Sequence, residues 1–181
     1  MRVLDLGCGS GKTPSKLGLP DEWDFIGCDI NAELLKAARR SYPSRQFHLA
    51  RGESLPYAAS SFDRVIANVS LPYMRIHDTI REIHRVLRPQ GTLWISYHPP
   101  SATLSEMRSG FVGRIPVFLR GMLFHMTGRS FGESFQTRRG LRLALRHFEN
   151  VEFSRDAKRW IVTAQKPASL ALDRSPKKRA A

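Results

Sequence analysis

The stretch that decides the fold lies at the start of the chain, where Val3-Leu4-Asp5-Leu6 is followed by Gly7-Cys8-Gly9-Ser10-Gly11. The mostly apolar run predicts a buried strand, and glycines at every second position predict a tight turn directly after it. Glycine lets the backbone approach a ligand closely, and a helix after the turn points free N–H groups at that ligand. The stretch therefore indicates a nucleotide-type ligand at the end of the first strand.

Two other kinds of glycine-rich loop do not fit this spacing. A dinucleotide fingerprint G-x-G-x-x-G would need glycine at Lys12, and a phosphate-binding loop G-x-x-x-x-G-K-[ST] would need glycine at Leu6. A second apolar run ends at Asp29, 18 residues after Gly11. A carboxylate at that position can accept hydrogen bonds from both ribose hydroxyls of an adenosine.

Apolar runs of strand length alternate with stretches of helical periodicity, which predicts βα units and a mostly parallel sheet. Strands are predicted at residues 3–6, 24–28, 46–50, 64–67 and 91–96, and helices at 31–41, 76–87 and 140–147. The Pro89 and Gly91 pair is expected to end the second of these helices in a turn. Residues 151–153 and 160–164 are suited to a closing antiparallel hairpin. The predicted fold is a Rossmann-like, doubly wound α/β sheet of seven strands.

Length and composition predict one globular domain. The chain has 181 residues, 41% of them hydrophobic and 25% charged, so residues 1–166 can bury a core. Residues 97–137 depart from the βα rhythm and are expected to cover the substrate as an insertion. Residues 167–181 are small, polar and basic, which predicts a disordered tail.

Cysteine usage and hydropathy bear on the compartment. The two cysteines, Cys8 and Cys28, have no neighbours at metal-ligand spacing, so neither a disulfide scaffold nor a metal site is expected. No stretch of about 18 uncharged apolar residues occurs, and the chain opens directly on a strand. We therefore expect a cytoplasmic protein without a membrane span or a signal sequence.

The order of these motifs resembles the class I methyltransferases that depend on S-adenosylmethionine (SAM). It is particularly similar to the ubiquinone and menaquinone biosynthesis group, and the resemblance covers residues 2–96. Besides the glycine turn, it is carried by Gly27-Cys28-Asp29-Ile30, Glu53-Ser54-Leu55-Pro56-Tyr57, Ser61-Phe62-Asp63 and the run from Ile80 to Gly91.

The resemblance implies a set of cofactor-binding residues. Asp5 and the turn residues Gly7, Cys8, Gly9, Ser10 and Gly11 would hold the methionine end of SAM, Asp29 would hold the ribose, and the adjacent Ile30 would also contact the cofactor. Gly52, Glu53 and Ser54 would lie along the adenine, and Asn68 would flank the sulfonium. The chain departs from the family in two places: Arg51 stands where many relatives have an aspartate, and Ser70-Leu71-Pro72-Tyr73 replaces a more usual Leu-His-His pattern.

Methyl transfer needs no fixed catalytic triad. The cofactor supplies the electrophile, so the protein mainly aligns the acceptor, and a base is required only when the acceptor must lose a proton. No motif identifies the catalytic residue. His98, after the fifth strand, is the best-placed candidate base, although a histidine there is more often a polar residue at the rim of a site.

The acceptor is expected to be a small, apolar molecule, because residues 111–124 contain apolar side chains suited to a lid. A nucleic-acid methyltransferase is the alternative, supported by a net charge of +13 and by the helical spacing of Arg138, Arg142 and Arg146. Against it, no Asn/Asp-Pro-Pro-Tyr/Phe motif follows the fourth strand. A non-catalytic partner subunit that kept the SAM fold and a protein bound to a membrane surface through residues 111–126 are two further alternatives.

Overall fold

The computed structural model describes residues 1–97, 138–156 and 159–168. Within them, seven strands form one sheet in the order β3-β2-β1-β4-β5-β7-β6. The strands are β1 (Arg2–Leu6), β2 (Asp24–Asp29), β3 (Gln46–Leu49), β4 (Phe62–Asn68), β5 (Leu87–Tyr97), β6 (Glu149–Arg155) and β7 (Trp160–Gln165). All neighbouring pairs are parallel except those of β7, which runs antiparallel to both β5 and β6. The predicted Rossmann-like sheet and its closing hairpin are confirmed.

Helices cover both faces of the sheet. They are α1 (Thr13–Leu17), α2 (Ala32–Ser41), α3 (Ile76–Val86) and α4 (Arg138–Ala144), with a short 3-10 helix at Leu71–Tyr73. The main core cluster lies between α3, α4 and one face of the sheet, where Leu4, Val65, Ile83, Leu141 and Val162 are fully buried. The strand residues Val3, Phe25 and Ile66 face the other side, beside Leu17 at the end of α1.

The junction between α3 and β5 differs from the sequence prediction. No turn separates the two elements, because α3 ends at Val86 and the extended chain of β5 begins at Leu87. Gln90, rather than Gly91, takes the left-handed conformation, with φ of 64°. Gly91 is required for space, since an added Cβ would lie 2.8 Å from the carbonyl oxygen of Arg88.

The other boundaries differ from the predictions by a few residues. Helix α4 begins two residues earlier and ends three residues earlier than expected. Most of the predicted insertion and of the predicted tail lies outside the described residues, so both remain predictions. No helix among the described residues is long and apolar enough to cross a membrane.

An ion pair on α3 holds the loop that follows β3. Glu82 accepts a hydrogen bond from the Leu55 backbone N–H at 2.8 Å and is paired with Arg85 at 2.7 Å. Arg85 donates in turn to the carbonyl oxygens of Tyr57 at 2.7 Å and Leu55 at 3.0 Å. These contacts connect two motifs that lie about 30 residues apart in the sequence, at 53–57 and 80–91.

We expect Glu82→Ala to lower the free energy of unfolding by about 1–3 kcal/mol, because it leaves a loop N–H and a guanidinium without their acceptor. Arg81→Ala is the matched control, since the exposed Arg81 forms its ion pair with Asp78 of the same helix and should change stability by less than about 0.5 kcal/mol. Urea unfolding followed by circular dichroism measures both. Equal losses in the two variants would contradict the role given to this ion pair.

Candidate functional site

The candidate site lies at the carboxyl edge of the sheet, where β1 and β4 are neighbours. The chain order reverses at this pair, because β2 and β3 continue on one side and β5, β7 and β6 on the other. Open α/β sheets bind their ligands in the crevice that such a reversal creates. Asp5 and Asn68, predicted from the sequence as site residues, lie on these two strands, Asp5 next to the end of β1 and Asn68 at the end of β4.

The glycine turn closes over this edge in a left-handed conformation. Gly7, Gly9 and Gly11 have φ angles of 70°, 53° and 78°, which residues other than glycine adopt only at a cost in free energy. Gly7 also touches Ser70, whose Cβ would collide with an added side chain at this position. The backbone N–H groups of Gly7 and Cys8 both donate to the carbonyl oxygen of Cys28, at 2.8 and 3.0 Å, and so attach the turn to β2.

The side chains of the two other turn residues, Cys8 and Ser10, differ in their surroundings. Cys8 is buried, and its side chain packs with Leu35, Ala38 and Phe47 beneath α2. Ser10 is partly exposed, and no side-chain hydrogen bond holds it within the described part of the chain. We therefore expect any contact from Cys8 to a ligand to come from its peptide group.

Asp29 ties the turn to the following helix. One carboxylate oxygen accepts the Gly9 N–H at 2.8 Å, and the other accepts the Asn31 N–H at 2.8 Å. Asn31 caps α2 by accepting from the N–H groups of Glu33 and Leu34 at 3.0 and 3.1 Å. An ionised carboxylate offers about four lone-pair sites, so Asp29 can still accept hydrogen bonds from a ligand.

Asp5 is a buried carboxyl group with spare hydrogen-bonding capacity. Its Oδ1 atom has no hydrogen-bond partner among the described residues. Burial raises its pKa to about 7, against a hydrogen bond from Thr13 that acts to lower it. An unsatisfied buried carboxyl oxygen is costly and fits a cationic ligand group such as an ammonium.

Asn68 lies in a strained stretch at the end of β4. Its side-chain oxygen accepts from the buried Ser96 hydroxyl at 2.7 Å and from Arg159 at 3.4 Å. The next residue, Val69, has φ of 58°, which is unfavourable for a β-branched side chain. The hydroxyl of Ser70 then donates to the Leu6 carbonyl at 2.6 Å and joins the ends of β1 and β4.

The residues predicted to lie along an adenine divide into two groups. Gly52 is buried, and an added Cβ would lie 2.6 Å from the Met74 sulfur. Because the Met74 methyl group lies 3.4 Å from the Cβ positions of both Gly52 and Gly7, it connects this loop to the glycine turn. The Glu53 carboxylate instead faces the start of α3, where it accepts the Arg75 N–H at 2.8 Å, and Ser54 is exposed.

Exposed apolar side chains surround the ends of β2 and β3. Ile30, Leu49 and Leu34 are 64%, 62% and 42% exposed, an unusual concentration of bare aliphatic surface beside polar groups. Of these side chains, only Ile30 was predicted from the sequence as a site residue, and neither Leu34 and Leu49 nor Met74 was. The signal for Leu49 was an apolar residue at the end of a short strand, in register with Asp29.

Two further expectations concern a catalytic base and a metal site. His98 lies outside the described residues, so its role as a base remains a prediction. Within the described ranges, no group of three or more His, Cys, Asp or Glu side chains is arranged to hold a metal ion.

A family model described as a methyltransferase domain matches residues 4–95, about half of the chain. The chain belongs to this methyltransferase family. The match spans the glycine turn, Asp29 and Asn68, and so covers the carboxyl edge described above. The resemblance to class I SAM-dependent methyltransferases is confirmed, and SAM is the cofactor of this family.

Individual relatives agree with this assignment. The chain is 35% identical over 98 residues to a malonyl-[acyl-carrier protein] O-methyltransferase from Enterobacter lignolyticus, covering 51% of this chain and 37% of that protein. It is 30% identical over 95 residues to a demethylmenaquinone methyltransferase from Chlorobaculum parvum, covering 52% and 39%. The chain thus spans less than half the length of these two curated relatives.

A solved structure supports the fold over nearly the whole chain. A SAM-dependent methyltransferase from Methanosarcina mazei superposes with a TM-score of 0.67 at 22% identity, covering 93% of each chain. Identity at this level shows the fold alone.

The role of Asp29 as a hydrogen-bond acceptor for SAM can be separated from the general effect of removing a negative charge. We expect Asp29→Ala to weaken SAM binding about tenfold to a few hundredfold, because a charged acceptor contributes about 1.5–3 kcal/mol per hydrogen bond. Asp24→Ala is the control, since Asp24 is an exposed aspartate at the opposite end of the same strand. Calorimetric titration with SAM measures both variants. An unchanged affinity in folded Asp29→Ala would overturn the assignment of Asp29.

The raised pKa of Asp5 predicts a dependence on pH. An unfolded aspartate has a pKa of about 3.9, so between about pH 4 and 7 the folded protein binds the extra proton, and its stability falls as pH rises. Asp5→Asn should therefore raise the melting temperature of the ligand-free protein at pH 8 and have little effect near pH 4.

SAM binding should respond in the opposite sense. Ionised Asp5 favours an ammonium group, so the affinity of the wild type should exceed that of Asp5→Asn by more at pH 7.5 than at pH 5.5. Calorimetry at the two pH values measures this difference. Groups that titrate in both proteins change both affinities equally, so they cancel in the ratio of the affinities. A constant ratio of affinities would show that Asp5 does not contact the charged end of the cofactor.

Proposed function

We propose that this chain transfers a methyl group from SAM to a small-molecule acceptor. The observation that carries the proposal is the arrangement at the carboxyl edge, where Asp29 holds the Gly9 N–H and Asp5 keeps one oxygen unsatisfied. The left-handed turn supplies a close backbone approach between these two carboxyl groups. Together they provide acceptors for a ribose and for an ammonium group, both of which SAM carries.

The residues present fit this cofactor. Asp5 and the glycine turn would hold its methionine end, Asp29 its ribose, and the aliphatic side chains of Ile30, Leu34 and Leu49 would shield its adenine from water. When bound, SAM supplies an electrophilic methyl group on a sulfonium. The protein's own task is to fix the acceptor in line with that group and to exclude water.

The end of β4 is suited to positioning. Ser96 and Arg159 fix the Asn68 amide, and the strained Val69 directs the chain so that Ser70 braces β1. Strained backbone at a site persists when its surroundings hold it in place, as these hydrogen bonds do here. We infer that Asn68 lies beside the reacting groups.

A small-molecule acceptor is supported by the named relatives, one of which acts on demethylmenaquinone by its name. The nucleic-acid alternative has less support, because neither of the two curated relatives described above is named for acting on a nucleic acid. The two cysteines are free and buried, which supports our proposal of a reducing, cytoplasmic setting.

The test uses SAM labelled on its methyl group. The protein is incubated with a small-molecule extract and, separately, with total RNA, and incorporation of label is measured in each. We expect label in the small-molecule extract, and much less with Asp29→Ala than with Asp24→Ala. Label in RNA alone would overturn the acceptor class. SAM binding without transfer to either would favour the non-catalytic partner subunit.

A further inference from the structure

Trp160 forms the centre of a cationic cluster at the carboxyl edge of the sheet, on the side of β4 where β5, β7 and β6 lie. It is the first residue of β7, and it pairs with Tyr97 at the end of β5 and with Arg155 at the end of β6. The Arg138 guanidinium lies 3.8 Å from the centre of the Trp160 ring, and that of Arg155 lies 5.7 Å away. We name Arg138, Arg155 and Trp160 the arginine–tryptophan cluster.

Within the described ranges, no acidic side chain neutralises the charges of this cluster. Among the described residues, neither Arg138 nor Arg155 forms an ion pair, whereas nearby Arg159 is paired with Asp156 at 2.9 Å. Both arginines are exposed. A guanidinium that stacks on a ring keeps its N–H edge available, and that edge matches carboxylate and phosphate groups. The stacking also restricts the side chain in advance, which reduces the entropy lost when an anion binds.

The cluster lies on the same sheet edge as the cofactor site. Asn68 pairs with Ser96 across β4 and β5, and Tyr97 pairs with Trp160 across β5 and β7. Neighbouring strands are about 4.8 Å apart, so Trp160 lies about 10 Å along the edge from Asn68. The contact of Arg159 with Asn68 shows that side chains of the hairpin reach the end of β4.

We propose that the methyl acceptor carries an anionic group, a carboxylate or a phosphate, which the arginine–tryptophan cluster binds. The inference rests on the proposed function, because it places the atom to be methylated beside Asn68 and the anionic group about 10 Å away. The partly exposed Trp160 ring provides apolar surface beside the anionic group. The acceptor is then amphipathic, with an anionic end.

An extended nucleic acid fits the same surface less well. Arg142 is stacked on Phe153, at 4.9 Å from the ring centre, and β6 carries the exposed acids Glu149 and Glu152. These carboxylates repel a phosphate backbone that continues along the hairpin. A single anionic group at Trp160 avoids them.

The test follows the fluorescence of Trp160 during titration with two probes, inorganic pyrophosphate and succinate. Trp160→Phe identifies the signal, because Trp23 and Trp94 pack in a separate cluster on the other face of the sheet. We expect a saturable change in the wild type. Its midpoint should rise about tenfold in Arg138→Gln or Arg155→Gln, because a charged hydrogen bond is lost.

Arg139→Gln is the matched control, since it removes the same charge from the next position of α4 without touching Trp160. Equal weakening in Arg139→Gln and Arg138→Gln, or no saturable change in the wild type, would overturn the proposal. The tighter of the two probes distinguishes a phosphate from a carboxylate. If RNA oligonucleotides displaced the probe more strongly as their length increased, the ligand of this cluster would be a nucleic acid, and the proposal of a small anionic acceptor would be wrong.

SAM titration by calorimetry on the same proteins separates the two proposals. Arg138→Gln and Arg155→Gln should bind SAM as the wild type does, because both lie on the acceptor side. If the wild type bound SAM but no anion, only the proposal that the arginine–tryptophan cluster binds the acceptor's anionic group would be refuted. Anion binding without SAM binding would refute the proposed function and leave an anion site of another purpose.

Discussion

The carboxylate of Asp29 is the interaction on which the site depends. Its two oxygens hold the glycine turn through Gly9 and the start of α2 through Asn31. A turn with left-handed glycines has many accessible conformations when it is free, and the cost of ordering it must be met by contacts of this kind. Asp29 therefore fixes the shape of the turn before any ligand binds, while its unused lone pairs remain available to that ligand.

Close packing beneath the turn imposes a second constraint. Gly27 on β2 has no room for a side chain, because Phe47 and the Cys8 sulfur lie 2.6 and 2.8 Å from the position of a Cβ. Phe47 also limits Gly11, at 3.0 Å. The Phe47 ring thus requires glycine at two places, Gly27 within β2 and Gly11 in the turn after β1. It also brings β3 close to the turn. This explains why the glycines of the motif extend beyond the residues that face a ligand.

The sequence predicted the features that depend on local pattern. The alternation of apolar runs, the position of Asp29 after β2 and the closing hairpin all follow from periodicity and from strand ends, and the structure confirms the elements concerned. The start of β5 at Leu87 was missed because Pro89 and Gly91 are common in turns, whereas here Gln90 and Gly91 bond to the backbone of Lys166, 75 residues later in the chain.

The candidate site was predictable only in part, for a similar reason. Residues on the glycine turn carry a local signal, but Met74 reaches Gly7 and Gly52 through tertiary packing that no spacing reveals. Arg138 showed a helical repeat with Arg142, and its partner Trp160 belongs to a strand that begins 22 residues later. The repeat alone favoured nucleic acid, whereas the stacking gives those arginines a structural role as well.

The charges at the carboxyl edge are distributed unevenly, although the chain as a whole is strongly basic. Asp5 and Asp29 lie beneath and beside the turn at β1 and β2, while Arg138, Arg155 and Arg159 lie around the ends of β6 and β7. Of these three arginines, Arg159 alone forms an ion pair within the described part of the chain, with Asp156. Charges of opposite sign about 14–24 Å apart, three to five strand spacings, are largely screened by salt where they face water. Each half therefore acts on what is bound next to it, and the carboxylates on one side favour cationic groups while the guanidinium groups on the other favour anions. Under the two proposals, the cofactor and the acceptor would lie side by side on this edge, and transfer requires that the methyl group and the accepting atom be aligned there.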